Sequence, residues 1–79
     1  MYYVYILRCG NGRLYVGCTR DLKDRFARHR AGHVPATVHI QPVALVFYCG
    51  LPNKYIAFQF EKYLKSASGR AFTKKHLIR

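Results

Sequence analysis

Tyr2-Tyr3-Val4-Tyr5-Ile6-Leu7, then Gly10-Asn11-Gly12, then Leu14-Tyr15-Val16 is the stretch from which the rest of the chain can be read. Its two outer runs are dense in aromatic and β-branched residues, which suit a pleated, half-buried surface, and the glycine-flanked asparagine between them is a hairpin signal. Loop length decides which side chains share a face. A two-residue Asn11-Gly12 turn sends Tyr5 and Tyr15 to opposite faces, because successive strand residues alternate. A three-residue loop with Gly12 in a left-handed bulge sets Leu7 opposite Tyr15 and Tyr5 opposite Gly17, so that both tyrosines line one face. In that register Gly17, lacking a side chain, leaves open space above Tyr5 for a ligand.

Downstream, Thr19 or Asp21 can cap a helix by accepting backbone N–H bonds. Leu22 and Phe26 give that helix its contact with the sheet, and Arg25 and His29, also four apart, project together from the margin of the packed face. Ala31-Gly32 ends it. Residues 33–41 are polar and lack a period, so they read as a loop, one whose His33, Thr37 and His39 could touch phosphate. Val43 to Tyr48 is a third strand, apolar enough to be central or covered on both faces. Gly50 to Asn53 then makes a turn, with Asn53 as cap of a helix over Lys54 to Lys65. Ile56, Phe60, Tyr63 and Leu64 form its expected packing stripe, with Glu61 at the stripe's edge. Ser66-Ala67-Ser68-Gly69 breaks this helix, and Arg70 to Leu77 forms a short third one, anchored by Phe72 and facing Lys74, Lys75 and His76 outward. The expected fold is α+β in the order β-β-α-β-α-α, a small three-stranded antiparallel sheet flanked by helices, with residues 1–79 as one domain.

Composition narrows the function classes. Fourteen Lys and Arg stand against three acids, a formal net charge of +11 on 79 residues. A field of that sign attracts phosphate polymers and makes binding salt-dependent. No long basic amphipathic helix and no apolar run of membrane-spanning length is visible, so nucleic acid is the expected partner rather than a membrane. Three cysteines without a Cys-x-x-Cys spacing argue against a disulfide framework or structural zinc, and no signal-peptide pattern opens the chain. A reducing, cytoplasmic location is expected.

Val4-Tyr5-Ile6, Tyr15-Val16-Gly17, Asp21-Leu22-Lys23-Asp24-Arg25-Phe26 with His29, Glu61-Lys62-Tyr63-Leu64-Lys65 and Gly69-Arg70-Ala71-Phe72, in this order and spacing, resemble the GIY-YIG nuclease superfamily. The likeness is to its small stand-alone members, related to the excinuclease nuclease domain. Two departures stand out: Tyr3 occupies the place of the family's first glycine, and no asparagine follows Phe72. The resemblance implies a metal-dependent endonuclease acting on DNA, in repair or recombination, that leaves a 5′-phosphate and a 3′-hydroxyl. It implies Tyr5, Tyr15, Arg25, His29 and Glu61 as catalytic residues, with Gly17 shaping the site. Arg20, Arg28, Lys74 and Lys75 are the expected nucleic-acid contacts.

The chemistry suits these residue types. Hydrolysing a phosphodiester needs a positioned water, a group to take its proton, and positive charge on the developing oxyanions. Glu61 is expected to ligate one Mg²⁺ or Mn²⁺ ion, and Arg25 to fork onto the scissile phosphate. Either Tyr5 or His29 can serve as the base. Each residue also has an ordinary reading: strand tyrosines at a rim, an exposed helical Arg-His pair, and a Glu61–Lys65 ion pair. A binding module that keeps the fold without cutting is therefore the alternative, and specificity is expected from the domain itself, from a homodimer or from a partner protein.

Overall fold

The computed structural model describes residues 1–78. Strands β1 (Tyr2–Cys9) and β2 (Leu14–Thr19) form the hairpin, followed by helix α1 (Leu22–Arg30), strand β3 (Val43–Leu51), helix α2 (Lys54–Lys65) and helix α3 (Ala67–Phe72), which runs on into a π-helical turn at Thr73–Leu77. The sheet is antiparallel throughout, in the order β2-β1-β3. The fold is therefore α+β with the expected order of strands and helices.

The hairpin takes the three-residue loop. Cys9 and Arg13 close it, the Cys9 N–H donating to the Arg13 carbonyl at 2.8 Å and the Gly12 N–H to the Cys9 carbonyl at 2.9 Å. Gly12 has φ +82°, a left-handed conformation that residues with a Cβ seldom adopt. The register follows: Leu7 pairs with Tyr15, and Tyr5 with Gly17.

β1, not β3, is the central strand. Val4, Tyr5, Ile6 and Leu7 are all at most 1% exposed, so β1 is covered on both faces. β3 lies at an edge, where Tyr48 keeps 57% of its surface in water, and it continues through Leu51 in place of the expected turn. An apolar run alone cannot separate a central strand from an edge strand whose flanks carry helices. With β2 committed to one side of β1 by the hairpin, β3 takes the other.

Two cores result. On one face Val4 and Ile6 meet Ala57 and Leu64 of α2, with Val16, Cys18, Phe60 and Phe72 around them. On the other, Tyr5, Leu7, Cys9 and Val43 meet Tyr15, Leu22, Phe26, Ile40 and Leu45. α2 is rotated from the expected stripe: Ile56 and Tyr63 are 52% and 42% exposed, whereas Ala57 and Leu64 are buried. Ala57 is small enough for the helix backbone to approach the sheet closely, and apolar periodicity weights the larger Ile56 above it. The rotation carries Glu61, one turn beyond Ala57, toward the sheet.

Asp21 caps α1, its carboxylate accepting from the Asp24 N–H at 3.0 Å, and the Asn53 amide oxygen caps α2 through the N–H groups of Tyr55 and Ile56. Ser66 alone marks the expected helix break. It donates to the Tyr63 carbonyl and accepts from the Gly69 N–H, so one residue closes α2 and opens α3. The third helix accordingly begins at Ala67, three residues before the expected Arg70.

Candidate active site

The sheet face that packs α1 carries an aromatic and imidazole cluster. Tyr5 reaches from the central strand to His29 in the last turn of α1, its hydroxyl 2.9 Å from Nε2. The other ring nitrogen, Nδ1, lies 2.8 Å from the hydroxyl of Thr37. Thr37 in turn can donate to the Val34 carbonyl at 3.5 Å. When it does, it accepts from Nδ1–H, which leaves Nε2 unprotonated and makes Tyr5 the donor. The Gln41 side chain pins this loop to the helix by donating to the carbonyls of His29 and Thr37.

His29 and Thr37 are wholly buried. This corrects two expectations. His29 does not project from the margin of the packed face, because α1 turns it inward onto the tyrosines; Thr37 supports the imidazole from behind and does not meet phosphate. Arg25, one turn earlier, is half-buried, and His33 and His39 are exposed. Nothing in the sequence pairs Thr37 with His29 beyond its residue type, since the contact is made by an aperiodic loop.

Tyr15 completes the cluster, its ring 5.1 Å from that of His29 and 6.4 Å from that of Tyr5, centre to centre. Gly17 admits Tyr5 rather than a ligand. A Cβ there would run into the Tyr5 hydroxyl and the ring carbon that bears it, so the space above Gly17 is filled by the phenol itself.

The electrostatics follow from burial. Desolvation, then the neighbouring Tyr15, push the Tyr5 phenol up to about 12, against the opposing pull of the Arg25 guanidinium; Glu61 is close enough to raise it further. Desolvation, and after it Arg25, lower the His29 imidazole below its ordinary value. At neutral pH the pair is therefore a phenol beside a neutral imidazole.

Glu61 is part-buried and paired with Lys65 at 3.2 Å, both readings of the residue being compatible with its position. Among the described residues its carboxylate belongs to no group of three or more His, Cys, Asp or Glu side chains arranged so that they could hold a metal ion. Between the hairpin and the α2–α3 layer opens a cleft of about 640 Å³ lined by Tyr15 together with Arg13, Lys65, Arg70 and Lys74. Arg13, Lys65 and Arg70 were not among the expected contacts; Arg13 sits just before β2 begins at Leu14, outside the strand pattern. Of those that were, Lys74 lines the cleft, Lys75 is exposed, Arg20 stacks over Tyr2 away from it, and Arg28 is engaged by Asp24 at 3.0 Å.

A model of the GIY-YIG catalytic domain matches residues 1–75. The chain belongs to that family. Among similar proteins are a UPF0213 protein of Streptococcus pyogenes serotype M5, 37% identical over 70 residues that cover 87% of this chain and 76% of the relative, and a UPF0213 protein of Pediococcus acidilactici, 34% identical over 70 residues covering 85% and 71%. The solution structure of a UPF0213 protein from Bacillus halodurans superposes with a TM-score of 0.60 at 34% identity, over 95% of this chain and 82% of that one. Membership of the GIY-YIG family implies a nuclease. Within this GIY-YIG domain, Tyr3-Val4-Tyr5 and Tyr15-Val16-Gly17 are the two strand segments that meet at the Tyr5–Gly17 pair. No helix among the described residues is long and apolar enough to cross a membrane.

Proposed function

We propose that this GIY-YIG domain is a divalent-metal-dependent endonuclease that hydrolyses phosphodiester bonds in DNA. The observation that carries the proposal is the buried Tyr5–His29–Thr37 chain of hydrogen bonds beside Arg25 and Glu61. A phenol pushed up to about 12 is a poor base unaided, and a neutral imidazole 2.9 Å away is the acceptor it lacks. Tyr5 takes the proton of the attacking water as its own passes to His29 Nε2. The phenol is regenerated, an imidazolium forms, and Thr37 holds Nδ1–H throughout. The resulting hydroxide attacks phosphorus, the bond to the 3′ oxygen breaks, and that oxygen leaves with a proton from solvent. Arg25 and Tyr15 hold the non-bridging oxygens.

A single carboxylate fits a hard cation that keeps most of its shell as water and phosphate oxygen, which describes Mg²⁺ or Mn²⁺ entering with the substrate. When bound at Glu61, one such ion supplies the positive charge that the departing oxygen needs. The ion pair with Lys65 is the observation favouring a binding module that does not cut, since Glu61 is already partly neutralised. The Lys65 side chain is exposed, so solvent competes for its ammonium and a divalent cation can take its place at Glu61.

The cleft's four cations suit the backbone of DNA, and three free cysteines suit a reducing cytoplasm. The test is cleavage of labelled linear, flapped and branched DNAs with Mg²⁺ or Mn²⁺ by wild type, Glu61→Ala and Arg25→Ala. Cutting that both substitutions abolish, with binding retained, is the expected outcome, and a preference for branched or flapped forms would point to repair or recombination. Binding without metal-dependent cutting in any lane favours the binding module, and cutting untouched by both substitutions overturns the site.

A further inference from the structure

The rotation of α2 leaves the rings of Tyr55 and Phe58 outside both cores. Tyr55 is 66% exposed and Phe58 50%. Phe58 meets Tyr2 edge-on, 6.4 Å between ring centres, and the Arg20 guanidinium lies 5.7 Å above the Tyr2 ring. At the other end the Lys54 ammonium sits 5.3 Å from the centre of Tyr55. Lys62 falls one turn beyond Phe58 and two turns beyond Tyr55, so it lies on the same strip of the helix. Lys54, Tyr55, Phe58 and Lys62 thus follow one another along the helix, with Tyr2 and Arg20 beside Phe58, so that three rings are flanked by three cations along one side of the molecule.

We propose that this strip is a docking surface for unpaired nucleotides, that is, for a single strand of nucleic acid running away from the active site. Exposed rings offer π-faces on which bases stack only when those bases are not already stacked in a duplex, and the flanking cations answer the phosphates of the same strand. Phe58 stands three residues before Glu61, about sixty degrees round the helix and one turn away, so the strip begins where the candidate site ends.

A second copy of the chain is the poorer occupant. A two-fold contact would set this patch, with its Arg20, Lys54 and Lys62, against the same three cations of the other copy. The three acids available to offset them are Asp21, Asp24 and Glu61, of which Asp24 already pairs with Arg28 and Glu61 with Lys65. Charge complementarity therefore selects a polyanion. The inference rests on the nuclease reading for its orientation and deepens it by naming a substrate class, but its test is one of binding.

The experiment is fluorescence anisotropy in EDTA with two labelled probes, a twelve-nucleotide single-stranded DNA and a blunt duplex hairpin of the same length. Wild type is compared with Tyr55→Ala, Phe58→Ala and Phe58→Leu, each checked for an unchanged thermal melt. Both residues are exposed, and Phe58→Leu keeps apolar bulk against Tyr2 while removing the ring. Each substitution is expected to weaken single-strand binding about tenfold, as loss of one stacking ring does, and to leave duplex binding within about twofold. Equal loss on both probes, no loss on either, or a dimer of the wild type that Phe58→Leu dissolves in sedimentation would overturn the proposal, as would anionic vesicles displacing the single strand through the same residues. Ring-dependent single-strand binding without cutting would sink the nuclease and keep the surface; cutting with ring-independent binding would do the reverse.

Discussion

At the scale of single residues, the site is a set of groups whose protonation is governed by burial. His29 is neutral at pH 7 because desolvation and the nearby Arg25 both disfavour its charge. Its ordinary value is 6.5, so the acidic limb of kcat/KM, which requires the unprotonated imidazole, is expected below that pH. The same shift has a consequence for stability. In the window between the lowered folded-state value and 6.5 the unfolded chain binds the proton that the folded chain refuses. The stabilisation is therefore full above pH 6.5 and is lost as the pH falls through the folded value. Circular-dichroism melts from pH 8 to pH 5 check this: the melting temperature of wild type is expected to fall toward acid, and that of His29→Gln to stay flatter across the same window. Parallel curves would mean that the imidazole is not what resists protonation.

At the scale of elements, the rotation of α2 is what joins structure to chemistry. Ala57 and Leu64 face the sheet while Ile56 and Tyr63 face water, and this setting brings Glu61 within electrostatic range of Tyr5. Leu64→Ala is expected to cost about 2–5 kcal/mol, as deletion of a fully buried leucine does, whereas Ile56→Ala stays within about 1 kcal/mol. Urea titrations of the two variants measure the contrast. Similar losses at both positions would return the helix to the stripe that periodicity alone favours. α1 makes the complementary contribution: its Asp21 cap and its terminus near Gly32 set the depth at which His29 enters the sheet face.

At the scale of the whole molecule, the fold gathers four of the fourteen Lys and Arg residues, Arg13, Lys65, Arg70 and Lys74, along one cleft between the hairpin and the α2–α3 layer. If about four phosphates are neutralised there, duplex affinity should fall about a hundredfold between 50 and 200 mM salt. Anisotropy titrations of a short duplex over that range give the slope directly. Arg70→Ala is expected to lower it by about one counterion, without regard to the DNA sequence. A slope unchanged by Arg70→Ala would move the backbone contacts out of the cleft.

The hairpin and the Asn53 cap were legible in the residues, and the shared face of Tyr5 and Tyr15 and the cap of α1 were legible as one of two alternatives each, because all rest on local chemistry: loop length, a left-handed glycine, and an Asp or Asn side chain bonding the N–H groups just after it. Membership of the GIY-YIG family was legible as well, through the likeness of residue types and spacing to that family's pattern. What only the tertiary structure decided is how those pieces face one another. That β1 is central, that α2 turns Ala57 inward and Glu61 toward the site, that Tyr5 fills the space over Gly17, and that Thr37 backs His29 all depend on contacts between segments far apart in sequence. Periodicity reports that a helix or strand has an apolar side; it does not report which neighbour that side meets, because burial is settled by the fit of the whole layer and not by the hydrophobicity of one residue.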